Sequence, residues 1–411
     1  MPTQTKPWFR AIILADMDAF FASIEQLDKP EWRSCPVAVT NGRQGTCIIT
    51  CSYEARAMGI KTGMRLREAR QLCPDLIQAP SRPQRYAGIS TAIMAALGTI
   101  TPDVEVFSVD EAFLDVSQCQ QLWGPPAVIA QLVKKIIYET SGLHCSVGLS
   151  GDKTTAKYAA KLNKPNGLTI IPPWQAQATL RNVPVTELCG IGTGVGRFLA
   201  ARGVHVCGDM QQLPVSELGK RFGNVGRRIW YMCQGKDPSP VEMNVAAPKS
   251  IGHGKVVPPA TTDKEALLTY LLHMSEKVAS RMRRHQLQAS QFFVGLRSNS
   301  GWLGGKQWLA EPTQNSQVIM ALCYQVIKRD WQGEGIFQVQ VTAMNPTDLK
   351  QQQLSLFDNS NDSRDRVNQV KDHINERFGE FSLMPGRLLK RSEMPNVISP
   401  AWKPTGHRKT I

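Results

Sequence analysis

The sequence predicts an α+β fold that is divided among several domains. The chain has 411 residues, which is enough for two to four domains with cores of their own. Between residues 9 and 171, short apolar segments of strand character alternate with segments of helical periodicity, which favours a sheet covered by helices. Residues 251 to 345 show strands and two long helices in the order βαββαβ, which is typical of a compact ferredoxin-like unit.

The composition argues against a secreted protein and against a membrane-spanning protein. Hydrophobic residues make up 42% of the chain, and the N-terminal MPTQTKPWFR lacks the apolar core of a secretory signal. No stretch approaches the roughly eighteen consecutive apolar residues of a membrane span. We therefore expect a cytoplasmic protein. The ten cysteines include no C-x-x-C pair, so we expect reduced thiols rather than a zinc site.

The charge balance indicates the kind of partner. A formal net charge of +14 and a pI near 9.4 favour binding to a polyanion. A protein that is basic only for solubility is the alternative, and charge alone does not identify the polyanion.

The elements of the first half follow from apolar periodicity and from turn residues. Strands are predicted at residues 9–15, 35–40, 46–51, 104–117, 144–149 and 168–171. Helices are predicted at residues 20–27, 52–57, 65–72, 85–98, 126–140 and 152–162. Turns are predicted at Asn41-Gly42 and at KPNG, residues 164–167.

The second half begins with short helices punctuated by glycines, over residues 175–240. In the βαββαβ segment the predicted strands are 251–257, 289–297, 306–310 and 336–343, and the predicted helices are 264–286 and 314–331. From residue 347 the chain becomes polar and Gln-rich, and residues 364–378 are compatible with one further helix.

Carboxylates stand in strand contexts at two places. Asp16 follows an apolar strand, and Asp110 with Glu111 lies within the predicted strand 104–117. An acid buried in this way costs several kcal/mol unless it is paired or bound to a metal. If adjacent strands bring the three acids together, their repulsion demands cations, and hard oxygen ligands select Mg²⁺ or Mn²⁺. Two such ions about 4 Å apart would clamp an in-line phosphoryl or nucleotidyl transfer. For any one acid alone, an exposed loop position or a helix cap is the simpler interpretation.

Asp18 is interpreted separately from Asp16. The two would share one side of the strand if the strand continued, but a helix that starts nearby breaks that register. Asp18 could equally cap the helix that begins at Phe20. We favour Asp16 as the metal ligand and Asp18 as a structural residue.

Four sequence blocks carry a family resemblance. They are ADMDAFFASIE at 15–25, SYEARAMGIKTGM at 52–64, SVDEAFLDVS at 108–117, and VGLSGDKTTAKYAAKLNKPNG at 147–167. Their order and spacing closely resemble the Y-family of translesion DNA polymerases, over roughly residues 10 to 345. The resemblance implies a multidomain right-hand polymerase. Its parts would be a palm (1–19 and 83–174), fingers (20–82), a thumb with a helix-hairpin-helix (175–243), a linker (244–249), a ferredoxin-like little finger (250–346) and a tail (347–411).

The same resemblance implies roles for individual residues. The catalytic metal ligands would be Asp16, Asp110 and Glu111, with the backbone carbonyl of Met17 as a further ligand for two Mg²⁺ ions. Phe21 would be the steric gate that excludes a ribose 2′-hydroxyl. The nucleotide contacts would be Phe20 (through its backbone N–H), Thr50, Tyr53, Arg56 and Lys164. Core packing is the alternative for the ring of Phe20, and ordinary surface positions are the alternative for Tyr53, Arg56 and Lys164.

Two regions are candidates for DNA binding. LCGIGTGVGRFLAARGV, residues 188–204, resembles a helix-hairpin-helix, in which Gly190, Gly192, Gly194 and Gly196 would let backbone N–H groups approach a phosphate. A dinucleotide-binding loop is less suitable, because no convincing strand precedes it and no acid follows at the right distance. In the little finger a phosphate track would consist of Lys249, Lys255, Arg281, Arg283, Arg284 and Arg297. A solvated helix face is the alternative for those charges.

The tail contains a short apolar motif in polar surroundings. Within QQQLSLFD at 351–358, the residues Gln353, Leu354, Leu356 and Phe357 resemble the peptide by which bacterial polymerases dock on the sliding clamp. A stray apolar patch that folds back onto the domain is the alternative. The Pro-rich basic C-terminus has no assigned function, and the need for accessory SOS proteins stays open.

The expected function is a template-directed DNA polymerase that extends primers across damaged template, with low fidelity and without proofreading. Its substrates would be primer–template DNA and deoxynucleoside triphosphates. Two alternatives remain at this point: a non-catalytic DNA-binding scaffold that is recruited to a clamp, and a two-metal nuclease or phosphatase. Lesion preference, and the choice between a polymerase IV-like and a polymerase V-like branch, do not follow from the sequence.

Overall fold

The computed structural model of the chain describes residues 7–43, 45–244, 247–349 and 361–390. It divides into two compact units, one up to Val245 and the other from Ala246 to Glu393. Within these described ranges, no helix is both long and apolar enough to cross a membrane.

A five-stranded sheet forms the centre of the first unit, in the order β5-β6-β1-β7-β8. Its strands are β1 (Ile12–Met17), β5 (Val104–Val106), β6 (Glu111–Asp115), β7 (Cys145–Ser150) and β8 (Leu168–Ile170). β1 pairs antiparallel with both β6 and β7, and its apolar residues from Ile12 to Ala15 are completely buried. The predicted buried strand is therefore confirmed as the middle of the sheet.

Helices cover both faces of this sheet. They are α4 (Pro83–Leu97), α5 (Gln120–Trp123), α6 (Pro126–Ser141) and α7 (Lys153–Leu162). Because side chains alternate along β1, Ile13 and Ala15 join the core with α4 and α6, whereas Ile12 and Leu14 pack with Ala156 and Ala160 of α7. This burial on both sides explains why the strand is apolar without a polar alternation.

A smaller layer lies between β1 and α4 in the chain. It contains α1 (Phe20–Asp28), β2 (Val37–Thr40), β3 (Ile48–Cys51), α2 (Tyr53–Ala57), α3 (Leu66–Leu72) and β4 (Ile77–Pro80). The three strands form a sheet in the order β3-β2-β4. Ser52 caps α2, because its hydroxyl accepts a hydrogen bond from the Ala55 N–H.

The first unit ends in a helical region with a core of its own. Its helices are α8 (Pro173–Leu180), α9 (Thr193–Ala200) and α10 (Val215–Met232). Asp237, which follows them, is almost completely buried and accepts hydrogen bonds from Arg228 and from Thr154 of α7. This contact joins the helical region to the central sheet.

The second unit has the predicted βαββαβ order. Its elements are β9 (Ser250–Thr261), α11 (Lys264–Arg284), β10 (Leu287–Ser298), β11 (Gly301–Thr313), α12 (Ser316–Asp330) and β12 (Ile336–Met344). The sheet order is β11-β10-β12-β9, and one face packs against α11 and α12. The ferredoxin-like prediction is confirmed, although β9, β10 and β11 extend beyond their predicted ends.

Part of the predicted tail is folded onto the second unit. β13 (Thr347–Asp348) pairs with β10, and α13 (Asn361–Phe378) covers the predicted helix at 364–378. Lys371 of α13 pairs with Glu276 of α11, Asp372 of α13 pairs with Arg283, and Leu388 is completely buried. The compact unit therefore extends past residue 346, where we expected the little finger to end.

One predicted strand was wrong in detail. Residues 104–117 form two strands, β5 and β6, which pair antiparallel with Val106 opposite Ala112. The N–H groups of Phe107 and Ser108 both donate to the Glu111 carbonyl, so the chain turns between the strands. Asp110 consequently lies in a turn, and not within the single strand that we predicted over residues 104–117.

Gly148 of β7 offers a test of how closely α7 packs. A Cβ atom at Gly148 would lie 2.0 Å from the Ala156 carbonyl oxygen and 2.5 Å from the Ala160 nitrogen, both of them backbone atoms of α7. We predict that Gly148→Ala destabilises the first unit by roughly 1–3 kcal/mol, because the helix must move away from the sheet. The measurement is the urea midpoint of unfolding followed by circular dichroism.

Gly88→Ala is the matched control for this substitution. Gly88 lies inside α4, is exposed, and has no atom within 4 Å of an added Cβ. Replacing it by alanine should stabilise the helix by about 0.5–1 kcal/mol. Equal midpoints for the two variants would contradict the close approach of α7 to β7.

Candidate active site

Two carboxylates meet across the centre of the first unit. Asp16, near the end of β1, is directly opposite Glu111, the first residue of β6. Asp110 lies in the preceding turn, where the Ser108 hydroxyl donates to its carboxylate at 2.6 Å. The Met17 N–H donates to the Asp110 carbonyl at 2.9 Å, which ties this turn to the end of β1. The structure thus brings together the four residues predicted as metal ligands.

Each of the two opposed carboxylates is paired with a lysine. The Nζ of Lys164 lies 2.5 Å from Oδ1 of Asp16, and the ammonium group of Lys157 contacts Glu111. The Asp16 side chain is 13% exposed, so its charge is largely removed from water. Partial neutralisation by lysine is what allows two acids to stand side by side at this depth.

The environment of Asp16 disfavours its charged form. Burial raises the pKa of the Asp16 carboxyl to about 7, although Lys164 lowers it, and the charges of Glu111 and Asp110 raise it further. A further cation, in addition to Lys164 and Lys157, would lower the electrostatic cost of charging Asp16. The added positive charge would stabilise the ionised form of every carboxylate in the cluster.

The donor set fits a hard divalent cation. Asp16, Asp110 and Glu111 supply carboxylate oxygens, which Mg²⁺ and Mn²⁺ prefer. As the described side chains stand, no group of three or more Asp, Glu, His or Cys residues surrounds a common point. Asp16 and Glu111 each contact a lysine instead.

Asp18 has a structural role and caps no helix. The residue before α1 is Ala19, with φ of 45°, and it makes no side-chain cap. The Asp18 carboxylate is buried and accepts hydrogen bonds from the Ser146 hydroxyl at 2.8 Å, the Tyr53 hydroxyl at 3.1 Å and the Asn166 N–H at 2.7 Å. The N-cap interpretation was wrong because these distant partners compete successfully for the carboxylate.

The ring of Phe21, which we predicted as the steric gate, is held in a rigid setting. Its ring stacks on Tyr86 of α4, with centroids 4.2 Å apart and an angle of 12° between planes. The Tyr86 hydroxyl donates to Glu25 at 2.7 Å, and Glu25 also pairs with Arg82. Phe20 is 3% exposed and joins the same core, as the packing interpretation of its ring expected.

The predicted nucleotide contacts lie on neighbouring elements. Tyr53 and Arg56 share a face of α2, and the Arg56 guanidinium lies 4.7 Å from the centre of the Tyr53 ring. The Arg56 Nε donates to the Cys51 carbonyl at 3.2 Å. Burial and the nearby Asp18 charge raise the pKa of the Tyr53 phenol, so it stays protonated. Thr50 is half-buried on β3, and Lys164 reaches the cluster from the loop before β8.

The four glycines of the predicted helix-hairpin-helix divide into two groups. Gly190, Gly192 and Gly194 are exposed at the start of α9, and an added Cβ at Gly192 or Gly194 would meet no atom within 4 Å. Gly190 has φ of 95°, a conformation that favours glycine. Gly196 is buried, and a Cβ there would lie 2.8 Å from the Thr186 side chain. Three of the four can therefore approach a phosphate, whereas Gly196 serves helix packing.

The expected phosphate track in the second unit is not continuous. Lys255 is 9% exposed and lies opposite the buried Val339, on the side of the sheet that faces the helices. Arg283 pairs with Asp372, and Arg281 donates to the Gly252 carbonyl. Arg297 is exposed on the other side of the sheet. The other two members of the predicted track, Lys249 and Arg284, are exposed, so Lys249, Arg284 and Arg297 remain candidates for contact with an external phosphate.

Sequence reasoning missed the lysines of α7. Lys153, Lys157 and Lys161 are spaced four residues apart, so they share one face of the helix. They pair with Glu105, Glu111 and Glu187, respectively. The i, i+4 spacing was a visible signal, but the glutamates come from three separate segments and could not be assigned from the sequence.

The proposed clamp motif, Gln353, Leu354, Leu356 and Phe357, lies outside the described residues.

Family comparisons agree with the geometry. Residues 15–161 match the impB/mucB/samB family, and residues 248–356 match the C-terminal domain of that family. Residues 186–237, which contain α9 and α10, match a domain described as the thumb domain of DNA polymerase-iota.

Related proteins cover nearly the whole chain. A DNA polymerase IV of Moorella thermoacetica is 36% identical over 90% of this chain and 94% of its own length. A DNA polymerase IV of Pelotomaculum thermopropionicum is 32% identical over 91% of this chain and 94% of its own. A solved Y-family DNA polymerase chimera superposes with a TM-score of 0.72 and 28% identity, covering 82% of this chain and 99% of that one. The chain therefore belongs to the Y-family of DNA polymerases and is a DNA-directed DNA polymerase.

Proposed function

We propose that this chain extends primers across damaged template by two-metal-ion nucleotidyl transfer, at low fidelity and without proofreading. The observation that carries the proposal is the pairing of Asp16 with Glu111 across β1 and β6, with Asp110 in the adjoining turn. Three carboxylates around one strand end, one of them with a strongly raised pKa, form a site suited to divalent cations.

The metal ligands would be the side chains of Asp16, Asp110 and Glu111 and the backbone carbonyl of Met17. When bound there, two Mg²⁺ ions, or Mn²⁺ in their place, would supply positive charge to the attacking primer hydroxyl and to the triphosphate oxygens. The residues of the chain position the ligands: the Met17 N–H holds the Asp110 turn against β1, and the Ser108 hydroxyl orients the Asp110 carboxylate within that turn.

Lys164 and Arg56 would bind the triphosphate. Lys164 pairs with Asp16 in this structure, and a nucleotide phosphate would offer it a competing anion at the same place. The planar guanidinium of Arg56 is held by the Cys51 carbonyl and by the Tyr53 ring, so it is preorganised for phosphate oxygens. Phe20 begins α1, where its N–H points out of the first helical turn, and Thr50 would lie near the nascent base pair.

Phe21 would exclude ribonucleotides. Its ring stacks on Tyr86, whose hydroxyl is held by the buried Glu25, and this leaves the ring little freedom to withdraw from a 2′-hydroxyl. A small hydroxyl is rejected by such a site because the clash cannot be relieved by movement of the ring.

The domain roles follow the same family pattern. We assign the palm to residues 1–19 and 83–174, the fingers to 20–82, the thumb to 175–243, the linker to 244–249 and the little finger from 250. The exposed glycines of α9 would hold the backbone of primer–template DNA, and Arg297 would contribute on the little finger.

The partners beyond DNA would act through the C-terminal residues. Gln353, Leu354, Leu356 and Phe357 would dock on a sliding clamp as an extended peptide, and the clamp would supply processivity. Such an enzyme would work on chromosomal DNA in the bacterial cytosol, in the response to DNA damage. The part of accessory SOS proteins stays open.

The metal ligands can be tested by primer extension with Mg²⁺ and all four deoxynucleotides. We predict that Asp110→Ala lowers the rate by roughly a thousandfold, since each tenfold corresponds to about 1.4 kcal/mol of lost charge stabilisation. Glu139→Gln is the control, because Glu139 is an exposed acid on α6. Equal rates for Asp110→Ala and the wild type would overturn the assignment, and shortening of the primer without nucleotides would favour a nuclease.

The steric gate can be tested by single-nucleotide insertion. We predict that Phe21→Ala raises ribonucleotide insertion, relative to deoxynucleotide insertion, by roughly 10- to 100-fold, because a small side chain leaves room for the 2′-hydroxyl. Phe21→Tyr keeps the ring and should keep the discrimination. If Phe21→Ala retains both normal deoxynucleotide insertion and normal discrimination, another residue excludes the ribose.

The clamp motif can be tested by pull-down with a purified bacterial sliding clamp. We predict that replacing both Leu356 and Phe357 by alanine abolishes capture, since these are the apolar anchors of the peptide. Primer extension on a short template without a clamp should stay unchanged. Ser355→Ala is the matched control inside the same motif, and equal loss in this control would argue against the assigned anchors.

A further inference from the structure

The KPNG loop, residues 164–167, carries Lys164 to the carboxylate cluster and lies between α7 and β8. Its backbone returns closely on the residue that follows α7, since a Cβ at Gly167 would lie 2.0 Å from the Asn163 carbonyl oxygen. Asn166 has φ of 56°, in the left-handed region that residues other than glycine seldom adopt. Such a backbone conformation persists only where contacts from other elements fix it.

Lys134 of α6 supplies contacts of this kind through its ammonium group. Its Nζ donates to the carbonyl oxygens of Asn166 at 2.7 Å and of Gly167 at 3.1 Å, and to the side-chain oxygen of Asn166 at 2.8 Å. It also donates to the Cys145 carbonyl of β7 at 2.9 Å. Lys134 therefore joins the KPNG loop to the central sheet. Because the donor is charged, these bonds are stronger than bonds between neutral groups.

Asp18 holds the other side of the same residue. Its Oδ2 accepts the Asn166 N–H at 2.7 Å, whereas Lys134 binds the Asn166 carbonyl. The two peptide groups that flank the Asn166 Cα are thus each bound to a charge of the appropriate sign, which fixes both backbone angles of that residue. Only Pro165 separates Asn166 from Lys164, and the proline ring locks its own φ. The direction in which the Lys164 side chain leaves the backbone is therefore set at Asn166.

The two lysines have different partners. Lys134 is half-buried, and its four acceptors are neutral oxygens of the protein. Lys164 instead pairs with a carboxylate of the cluster, Asp16, which a bound anion can replace as its partner. One lysine thus fixes the backbone of the loop, and the other carries charge into the site.

We propose that Lys134 is a positioning residue for the nucleotide: by fixing Asn166 and Gly167, it holds the Lys164 ammonium where the triphosphate binds. The inference rests on the proposed function, which assigns Lys164 to the triphosphate. Lys134 itself makes no contact with the substrate in this arrangement. Loss of its ammonium group therefore weakens nucleotide binding through Lys164 alone.

The test is the dissociation constant of the correct deoxynucleoside triphosphate, measured with Mg²⁺ and the full chain on a primer–template. The primer ends in a dideoxynucleotide, so that binding is measured without bond formation. Lys134→Met keeps an unbranched side chain and removes the ammonium group. We expect roughly tenfold weaker nucleotide binding, because a displaced Lys164 loses part of a charge-assisted contact. Lys134→Arg keeps a cationic donor and should restore most of the affinity.

Lys135→Met is the matched control. Lys135 is the next residue of α6, its side chain is 68% exposed, and it pairs with Glu139 on the surface of the same helix. Nucleotide binding by this variant should equal that of the wild type. Equal weakening in Lys134→Met and Lys135→Met would overturn the inference, because a general loss of positive charge on α6 would then explain both.

A double variant separates positioning from a general loss of stability. Lys164→Ala should weaken nucleotide binding by itself, and the addition of Lys134→Met should cause no further loss, because both changes remove one contact. Losses that multiply in the double variant would overturn the inference, and so would wild-type affinity in Lys134→Met. Wild-type affinity in Lys164→Ala would remove Lys164 from the triphosphate and the inference with it. Failure of the polymerase proposal is visible separately, as a wild type that binds the nucleotide in this complex yet does not extend an unblocked primer.

Discussion

The structure depends on the cost of bringing Asp16 to the end of a completely buried strand. The residues from Ile12 to Ala15 fill both faces of the sheet, so the strand cannot tilt its last carboxylate into water. Glu111 lies directly opposite, which adds repulsion to desolvation. The surrounding elements offset this cost: the loop before β8 provides Lys164, and α7 provides Lys157. Burial and mutual repulsion destabilise the ionised carboxylates at this site. The same negative charge attracts cations, and with them the phosphates that cations accompany.

The position of α7 links packing to this electrostatic balance. Gly148 allows the helix backbone to touch β7, and that close approach places Lys157 within reach of Glu111. One turn earlier, Lys153 pairs with the buried Glu105, which also accepts the Glu242 N–H. The helix thus ties the hairpin of β5 and β6 to the segment after α10. A change in α7 packing would act on the acids and on this connection at once.

Local patterns predicted the parts of the fold that local physics determines. Apolar periodicity predicted β1, α1 and the βαββαβ order. An element that buries one face or both faces repeats its apolar residues with the period of a helix or a strand. Residues 104–117 predict one strand, because apolar residues stand on both sides of Asp110 and Glu111 and conceal the turn between β5 and β6. The partners of Asp18 lie 128 and 148 residues away along the chain, and no local rule could weigh them against a helix cap. The inward orientation of Lys255 could be predicted only from the register of β9 with β12. The pairing of Arg283 depends on Asp372, which belongs to the predicted tail.

The net charge of +14 overstates the positive charge available to DNA. Lys157 and Lys164 neutralise the acid cluster, and Arg283 is paired within the second unit. On the side of that unit's sheet opposite α11 and α12, Arg297 is exposed. Binding to a polyanion depends on salt in proportion to the number of phosphates that cations neutralise. Cations that are already paired within the chain do not add to that number, so the salt dependence of DNA binding should be shallower than the composition alone suggests.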